Sequence, residues 1–297
     1  MLALAMRLRH AAAVPVYRDL DQAALDAQLN PRAATPAFIH YVQRWREAAD
    51  AARAAHDVMV DLAYGPDAAE RLDLFRVRDT IAPLVAFFHG GDWHELDKSD
   101  FAFLAPAFVA HRVAVAFVGY GGAPATTLAD LVERCRRAVV WLHRNAVELE
   151  LDPTRVFLAG HGAGAHLAFA AASASWRPYE LLGKPVAGLV GLGGLYDLEP
   201  VRLSHLNATL GLDRDEAFRL SPLHRPPPAC GAIVATGGRE SLEYRRQAHL
   251  LAAAWQRQSG AVETVDLPGE DHFSLLDRLG APEGALFRAV LLRLRGA

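Results

Sequence analysis

The stretch whose reading decides the fold is "RVFLAGHGAGAHLAFAAA", Arg155 to Ala172. An apolar run enters a turn rich in glycine, and an alanine-rich segment of helical character follows. Strand, tight turn and helix is the unit on which α/β folds mount their chemistry. At the centre of this turn stands Gly162, which brings no side chain. Three readings compete. As a dinucleotide fingerprint G-x-G-x-x-G/A, Gly160 to Ala165 fits loosely, with Gly164 one position early and Ala165 on time. That reading needs an acidic residue closing the next strand about 20 residues on, to hold a ribose. Here "VAGLVGLGG" closes on Gly193 and Gly194, and Glu180 lies in the loop "SWRPYELLGKP". The fingerprint also belongs near the start of its fold, whereas this turn is mid-chain. The second reading is a nucleophile elbow, G-x-S-x-G, with Gly162 where the serine would stand. The central residue of an elbow holds a strained backbone, which glycine adopts without penalty, so losing the serine leaves the fold intact and removes the reacting atom. The third reading is a plain strand-to-helix turn. What separates the last two is whether a serine's partners survive elsewhere.

Working outward, "APLVAFFHGG" and "RVAVAFVGYGG" are continuous apolar runs ending in glycines, as buried parallel strands read. "TRVFLAG", "VAGLVGLGG" and "GAIVATGG" repeat the pattern, and "AVETVDLPG" is a last strand before the closing helix "ALFRAVLLRLR". "HDVMVDLAYG" and "RLDLFRV" alternate apolar and polar residues, which predicts an antiparallel pair near an edge. Between strands, "KSDFAFLAPAFVAH" predicts a crossover helix. "TLADLVERCRRAVVWLHRNA" predicts another, with Leu128, Leu131, Val132, Cys135, Val139 and Leu142 on one stripe. Asp21 to about Ala55 reads as helical, broken at Pro31 and Pro36. These units predict an α/β fold: a mostly parallel, doubly wound sheet with crossover helices on both faces and its site at the strands' carboxyl ends. Residues 1–20 read as a loose N-terminal tail and 21–297 as one domain, in which 195–228, broken by proline and charge, is a cap-like excursion over the site.

The 297 residues are 52% hydrophobic, enough for one large core, and carry a net charge of −3 with no basic run, which argues against nucleic acid as a partner. Cys135 and Cys230 have no metal-type or CxxC spacing, and a buried thiol is expected at Cys135. In "MLALAMRLRHAAAVPV", Arg7, Arg9 and His10 interrupt the apolar start, so no secretory signal is read there. No apolar run suits a bilayer. The expectation is a soluble, cytoplasmic protein with no membrane partner; a homo-oligomer is left open.

The serine's partners are present. An elbow needs an acid after a later strand and then a histidine, in that chain order. Glu240, just past "AIVATGG", and His272, in "DLPGEDHFSLLD", follow Gly162 in that sequence. Glu240 is read as fixing the imidazole and His272 as the proton shuttle. Taken alone, Glu240 also suits a helix first turn, and His272 is one of thirteen histidines. Asp271 and Glu270, adjoining His272, are weaker choices of acid, and Glu243 is the nearest substitute. "FFHGGDWHELDKSD" supplies an oxyanion hole from the backbone N–H groups of Gly90, Gly91 and Asp92, completed by Ala163 just after the elbow. A metal reading of His89, Asp92 and His94 lacks further ligands, and no cofactor is expected. Trp93, Tyr120 and His161 are the candidate substrate contacts, aromatic groups suited to a planar aryl ligand. Ser173 and Ser175 lie about three turns along the helix and cannot stand in for the missing hydroxyl.

On these residues the chain resembles the arylformamidase (kynurenine formamidase) branch of the α/β-hydrolase superfamily. The HGG-x-W stretch His89 to Trp93 with "LDKSDFAFLAPAF" carries the resemblance, as do "GHGAGAHLA", where the family has G-H-S-A-G-A-H, "GLYDLEP", "ESLEYRRQ" and "PGEDHFS". It runs from about Leu20 to the last helix. The resemblance implies an α/β-hydrolase fold without metal, Glu240 as acid, His272 as base, and Gly90 with Gly91 in the oxyanion loop. It implies hydrolysis of N-formyl-L-kynurenine, or of similar aryl formamides and small aryl esters, and so a small aromatic amide or ester as partner. Gly162 departs from the family's serine. The expectation is an inactivated serine-hydrolase scaffold that binds substrate and barely turns it over. A natural pseudoenzyme binding a small aromatic, and a general carboxylesterase, are the alternatives.

Overall fold

The computed structural model describes residues 14–181 and 183–296. Its strands are β1 (Val58–Ala63), β2 (Arg71–Phe75), β3 (Ala82–Phe88), β4 (Ala114–Val118), β5 (Leu151–His161), β6 (Gly188–Leu192), β7 (Gly231–Gly237) and β8 (Val262–Leu267). They form one sheet in the order β1-β2-β4-β3-β5-β6-β7-β8. The β1–β2 and β2–β4 pairs are antiparallel and the remaining pairs parallel. The apolar runs explain this arrangement. Every residue of β3, β4 and β6 is buried, as strands covered on both faces must be, whereas the edge strands β1 and β8 have no fully buried residue.

Twelve α-helices connect the strands among the described residues: α1 (Gln22–Gln28), α2 (Pro31–Ala34), α3 (Phe38–Ala55), α4 (Ala105–Ala110), α5 (Leu128–Arg144), α6 (Ala163–Ala172), α7 (Glu199–Leu203), α8 (Asn207–Leu210), α9 (Arg214–Leu220), α10 (Leu242–Gln256), α11 (Ser274–Leu279) and α12 (Ala285–Arg295). Alternate residues of β3 feed two cores. Leu84, Ala86 and Phe88 meet the helices α5, α6 and α10, while Val85 and Phe87 meet α3, α4 and α12. The α5 stripe is buried as its period demands, and Thr127 caps the helix by accepting from the Asp130 N–H.

Two local readings change. The expected crossover helix after β3 is a 3-10 segment, Lys98–Leu104, followed by the short α4, because Pro106 fits only in a helix's first turn. Of the expected tail, residues 1–13 lie outside the described residues. Its end, however, is docked: Tyr17 pairs with Leu20 in a β-bridge, and its hydroxyl accepts from Arg246 Nη2 at 2.9 Å. No described helix is long and apolar enough to cross a membrane.

Candidate active site

The elbow forms where β5 ends at His161 and α6 begins at Ala163. Its three glycines serve different ends. A Cβ at Gly160 would sit 2.3 Å from the Gly164 backbone, and one at Gly164 only 2.0 Å from the Phe88 carbonyl oxygen. Strand and helix therefore touch there, and both positions are sterically closed to any side chain. Gly162 differs. Its backbone holds φ +53° and ψ −116°, a strained region for an L-residue, and a Cβ there would meet only His272, at 3.2 Å from Nε2 and 3.5 Å from Cε1. A plain turn has no need to aim its strained residue at an imidazole.

Behind that ring stands Glu240. Its Oε1 accepts from His272 Nδ1–H at 2.7 Å, and its Oε2 accepts from the Gly237 N–H at 2.8 Å at the end of β7. This fixes Nε2 as the nitrogen turned toward residue 162. Burial pushes the Glu240 carboxyl up and the His272 imidazole down, so the ring stays neutral near pH 7. The competing acids are spent elsewhere. Asp271 Oδ1 accepts from the N–H groups of Phe273 and Ser274 at 3.0 and 2.9 Å, Glu270 binds Arg278, and Glu243 is taken by Arg246 and Gln247.

His161 lies beneath the pair. Its ring centroid is 4.3 Å from that of His272, and its Nε2–H donates to the His272 carbonyl oxygen at 2.8 Å. Burial, then the neighbouring imidazole, lowers its pKa to about 3. His161 therefore positions His272, and it also borders a small cavity beside that ring. Sequence reasoning missed Gly193 and Tyr244. A Cβ at Gly193 would lie 2.4 Å from Glu240 Oε1 and 2.7 Å from His272 Nδ1, so only glycine lets the end of β6 close over the pair. The Tyr244 ring is 4.8 Å from the imidazole. The paired glycines ending "VAGLVGLGG" were a signal for the first; nothing local marked the second.

The oxyanion loop follows β3. Gly91 (φ +115°), Asp92 (φ +52°) and Trp93 (φ +63°) curl tightly enough for the His94 and Glu95 N–H groups to reach the Gly91 carbonyl oxygen at 3.0 and 2.8 Å. Among the described residues, no backbone carbonyl accepts from the N–H of Gly91, Asp92 or Ala163. Ala163 is the first residue of α6, where helix geometry leaves the N–H free. Gly90, just before the curl, packs where a Cβ would lie 2.8 Å from His161 Nδ1.

Two expected substrate contacts are corrected. Trp93 is 0% and Tyr120 1% exposed. Trp93 Nε1–H donates to His166 Nδ1 at 3.1 Å, while the Tyr120 hydroxyl donates to the His89 carbonyl oxygen at 2.7 Å and its ring stacks on His89. With no free surface they brace the loop from within; burial of large rings satisfies their apolar area as well as a ligand would. His89, Asp92 and His94 do not gather either: among the described residues, no group of three or more His, Cys, Asp or Glu side chains has metal-site geometry.

The chain's own N-terminal helices meet the site. A cavity of about 20 Å³ is bounded by Asn30, Thr35, Glu240, Tyr244 and His272, and a second of about 20 Å³ by Pro31, Arg32, Gly91, Asp92, His161 and His272. The excursion at 195–228 instead packs Leu198, Val201 and Leu220 into the core shared with α6 and α10.

Known proteins share the fold that carries this site. The family model described as BD-FAE matches residues 72–179, from β2 past the elbow. Among solved structures, a protein from Silicibacter sp. TM1040 superposes with TM-score 0.78 at 28% identity, over 90% of this chain and 98% of its own. The esterase LipW from Mycobacterium marinum superposes with TM-score 0.70 at 20% identity, over 89% and 88%, a likeness of fold. Kynurenine formamidase of Danio rerio is 30% identical over 264 residues, 86% of this chain and 88% of the relative. With the α/β-hydrolase fold beneath it and that identity running nearly end to end, the chain belongs to the kynurenine formamidase family of hydrolases.

Proposed function

We propose that this chain is a scaffold for hydrolysing aryl formamides of the N-formylkynurenine type, or small aryl esters, and that Gly162 leaves it able to bind such a substrate and nearly unable to turn it over. One observation carries the reading: a side chain at position 162 would start 3.2 Å from the Nε2 of an imidazole already held by Glu240. With serine at 162, His272 Nε2 takes the hydroxyl proton as Oγ bonds the formyl carbon. The N–H groups of Gly91, Asp92 and Ala163 then hold the oxyanion. The carbon–nitrogen bond breaks as His272 gives its proton to the leaving amine, and water, activated in turn by His272, releases formate. Without the hydroxyl, what remains is binding and the oxyanion hole, which in triad enzymes sustain roughly 10³–10⁴-fold over water. The intact pair and loop around one glycine fit replacement of a single serine in working machinery.

The test is Gly162→Ser assayed with N-formyl-L-kynurenine and phenyl acetate, then with His272→Ala added. Formate or acetate release that appears with serine and disappears with the second change supports the reading. A serine variant without activity on either substrate would sink it, and would leave a non-catalytic binder of small aromatics.

A further inference from the structure

We propose that residues 21–35 form a strap over the site whose second half, residues 30–35, must swing aside to admit substrate, and that Arg32 is the positioning residue that clasps it to the oxyanion loop. The catalytic role assigned to that loop rests on the hydrolase reading above; the motion of the strap does not.

The need for motion is volumetric. Each cavity beside His272 has room for about a single water, whereas pockets for small organic ligands run to roughly 300–1,000 Å³. Both cavities are walled on one side by residues 27–35. An aryl amide does not fit either cavity unless that wall is displaced.

The two halves of the strap are held unequally. In α1, Leu25 is fully buried, as is Leu29 beyond it. The Gln28 carbonyl accepts from Ser241 Oγ at 2.7 Å, its Oε1 accepts from the Glu243 N–H at 3.0 Å, and Asp26 Oδ1 accepts from the His205 N–H at 2.7 Å. This half is bolted to α10 and to the loop after α7. The α2 helix buries no residue; after it Thr35 is buried, and the chain enters α3 at Phe38. The α2 half is held by Arg32, whose Nη2 lies 3.4 Å from Asp92 Oδ2, whose Nη1 binds Glu95, and whose guanidinium sits 5.1 Å from the Phe38 ring centroid. These groups are partly exposed, and ion pairs in contact with water hold weakly, so substrate can part them. Asn30 and Pro31, where the backbone turns from α1 into α2, supply the hinge.

The clasp lands on the loop whose amides would bind the oxyanion. Asp92 adopts φ +52°, and Arg32 restrains its side chain from outside. Closing the strap therefore also steadies the donors, so that excluding solvent and completing the oxyanion hole become one event.

Hydrogen–deuterium exchange on the chain as it stands reads the strap without any turnover. Arg32→Ala is expected to raise exchange at residues 32–35 at least threefold while residues 22–29 keep their protection, and Arg32→Lys to recover part of it. Unchanged exchange at 32–35, or equal loss along the whole strap, overturns the hinge. In the Gly162→Ser background, Arg32→Ala is expected to lower kcat about tenfold with KM changed less than twofold, and Arg32→Lys to restore part of kcat. An unchanged kcat in a serine variant that is itself active overturns the positioning role. A serine variant inactive with and without Arg32 is a failure of the hydrolase reading, and the exchange result still decides the strap.

Discussion

Restoring a serine at position 162 tests chemistry and strain together. The residue holds φ +53° and ψ −116°, where a side chain costs about 1–3 kcal/mol. Its Cβ would also press to 3.2 Å from His272 Nε2, which the ring relieves by retreating a few tenths of an ångström while keeping its 2.7 Å bond to Glu240. Gly162→Ser should therefore destabilise by about 1–3 kcal/mol, a fall in Tm of roughly 2–4 °C for each kcal/mol in a chain of this size. In exchange it should raise kcat on an aryl formamide by up to about 10⁶, since removing a triad serine costs on that order. Gly162→Ala is the control: it carries the same backbone strain and ring contact but no hydroxyl, so it should lose similar stability and gain nothing. Thermal unfolding by circular dichroism, with aniline release from formanilide followed by absorbance, reads both quantities on one preparation. A serine variant that is neither less stable nor active would refute the geometry at the elbow. One that loses stability like the alanine variant, yet hydrolyses nothing, would refute the assignment of His272 as its base.

Three further outcomes follow from the same contacts. In the serine background, Glu240→Gln should keep the fold and lower kcat by roughly 10⁴, because an amide cannot hold the imidazole in its working tautomer; kinetics on formanilide check it, and a rate equal to that of the Gly162→Ser parent would return the acid's role to another carboxylate. Gly164→Ala should prevent stable folding, since its Cβ would fall 2.0 Å from the Phe88 carbonyl oxygen and neither backbone can yield; soluble expression and a native unfolding transition would contradict this. Acid should destabilise the protein through its buried neutral histidines. Burial holds His166 at about 4 and His161 at about 3, below the ordinary value near 6.5, so between those limits the unfolded chain binds more protons than the native one. Their contribution is complete above about pH 6.5 and is lost as pH falls toward 4, at roughly 1.4 kcal/mol per pH unit for each ring. Urea midpoints that stay flat from pH 6.5 to 5 would contradict the burial of these rings.

Much of this protein is written locally. Continuous apolar runs ending in glycine can only be strands covered on both sides, and their alternation with amphipathic segments forces a parallel sheet wound by helices. The spacing around Gly160, Gly162 and Gly164 marks the elbow, because two of those positions forbid a Cβ and the third aims one; that information sits within five residues. The order Gly162, Glu240, His272 places the partners after the ends of β5, β7 and β8, all on the sheet's carboxyl edge. What the sequence could not decide depends on contacts between distant segments. Glu240, Glu243, Glu270 and Asp271 are equivalent as letters, and only packing shows that three of them are taken by arginines, Gln247 or backbone amides. Trp93 and Tyr120 read as pocket aromatics until burial shows them inward. The strap is the clearest case, since Arg32 meets Asp92 and Glu95 across some sixty residues of chain, a pairing that no periodicity records and that exists only once the sheet has brought both segments to the same edge.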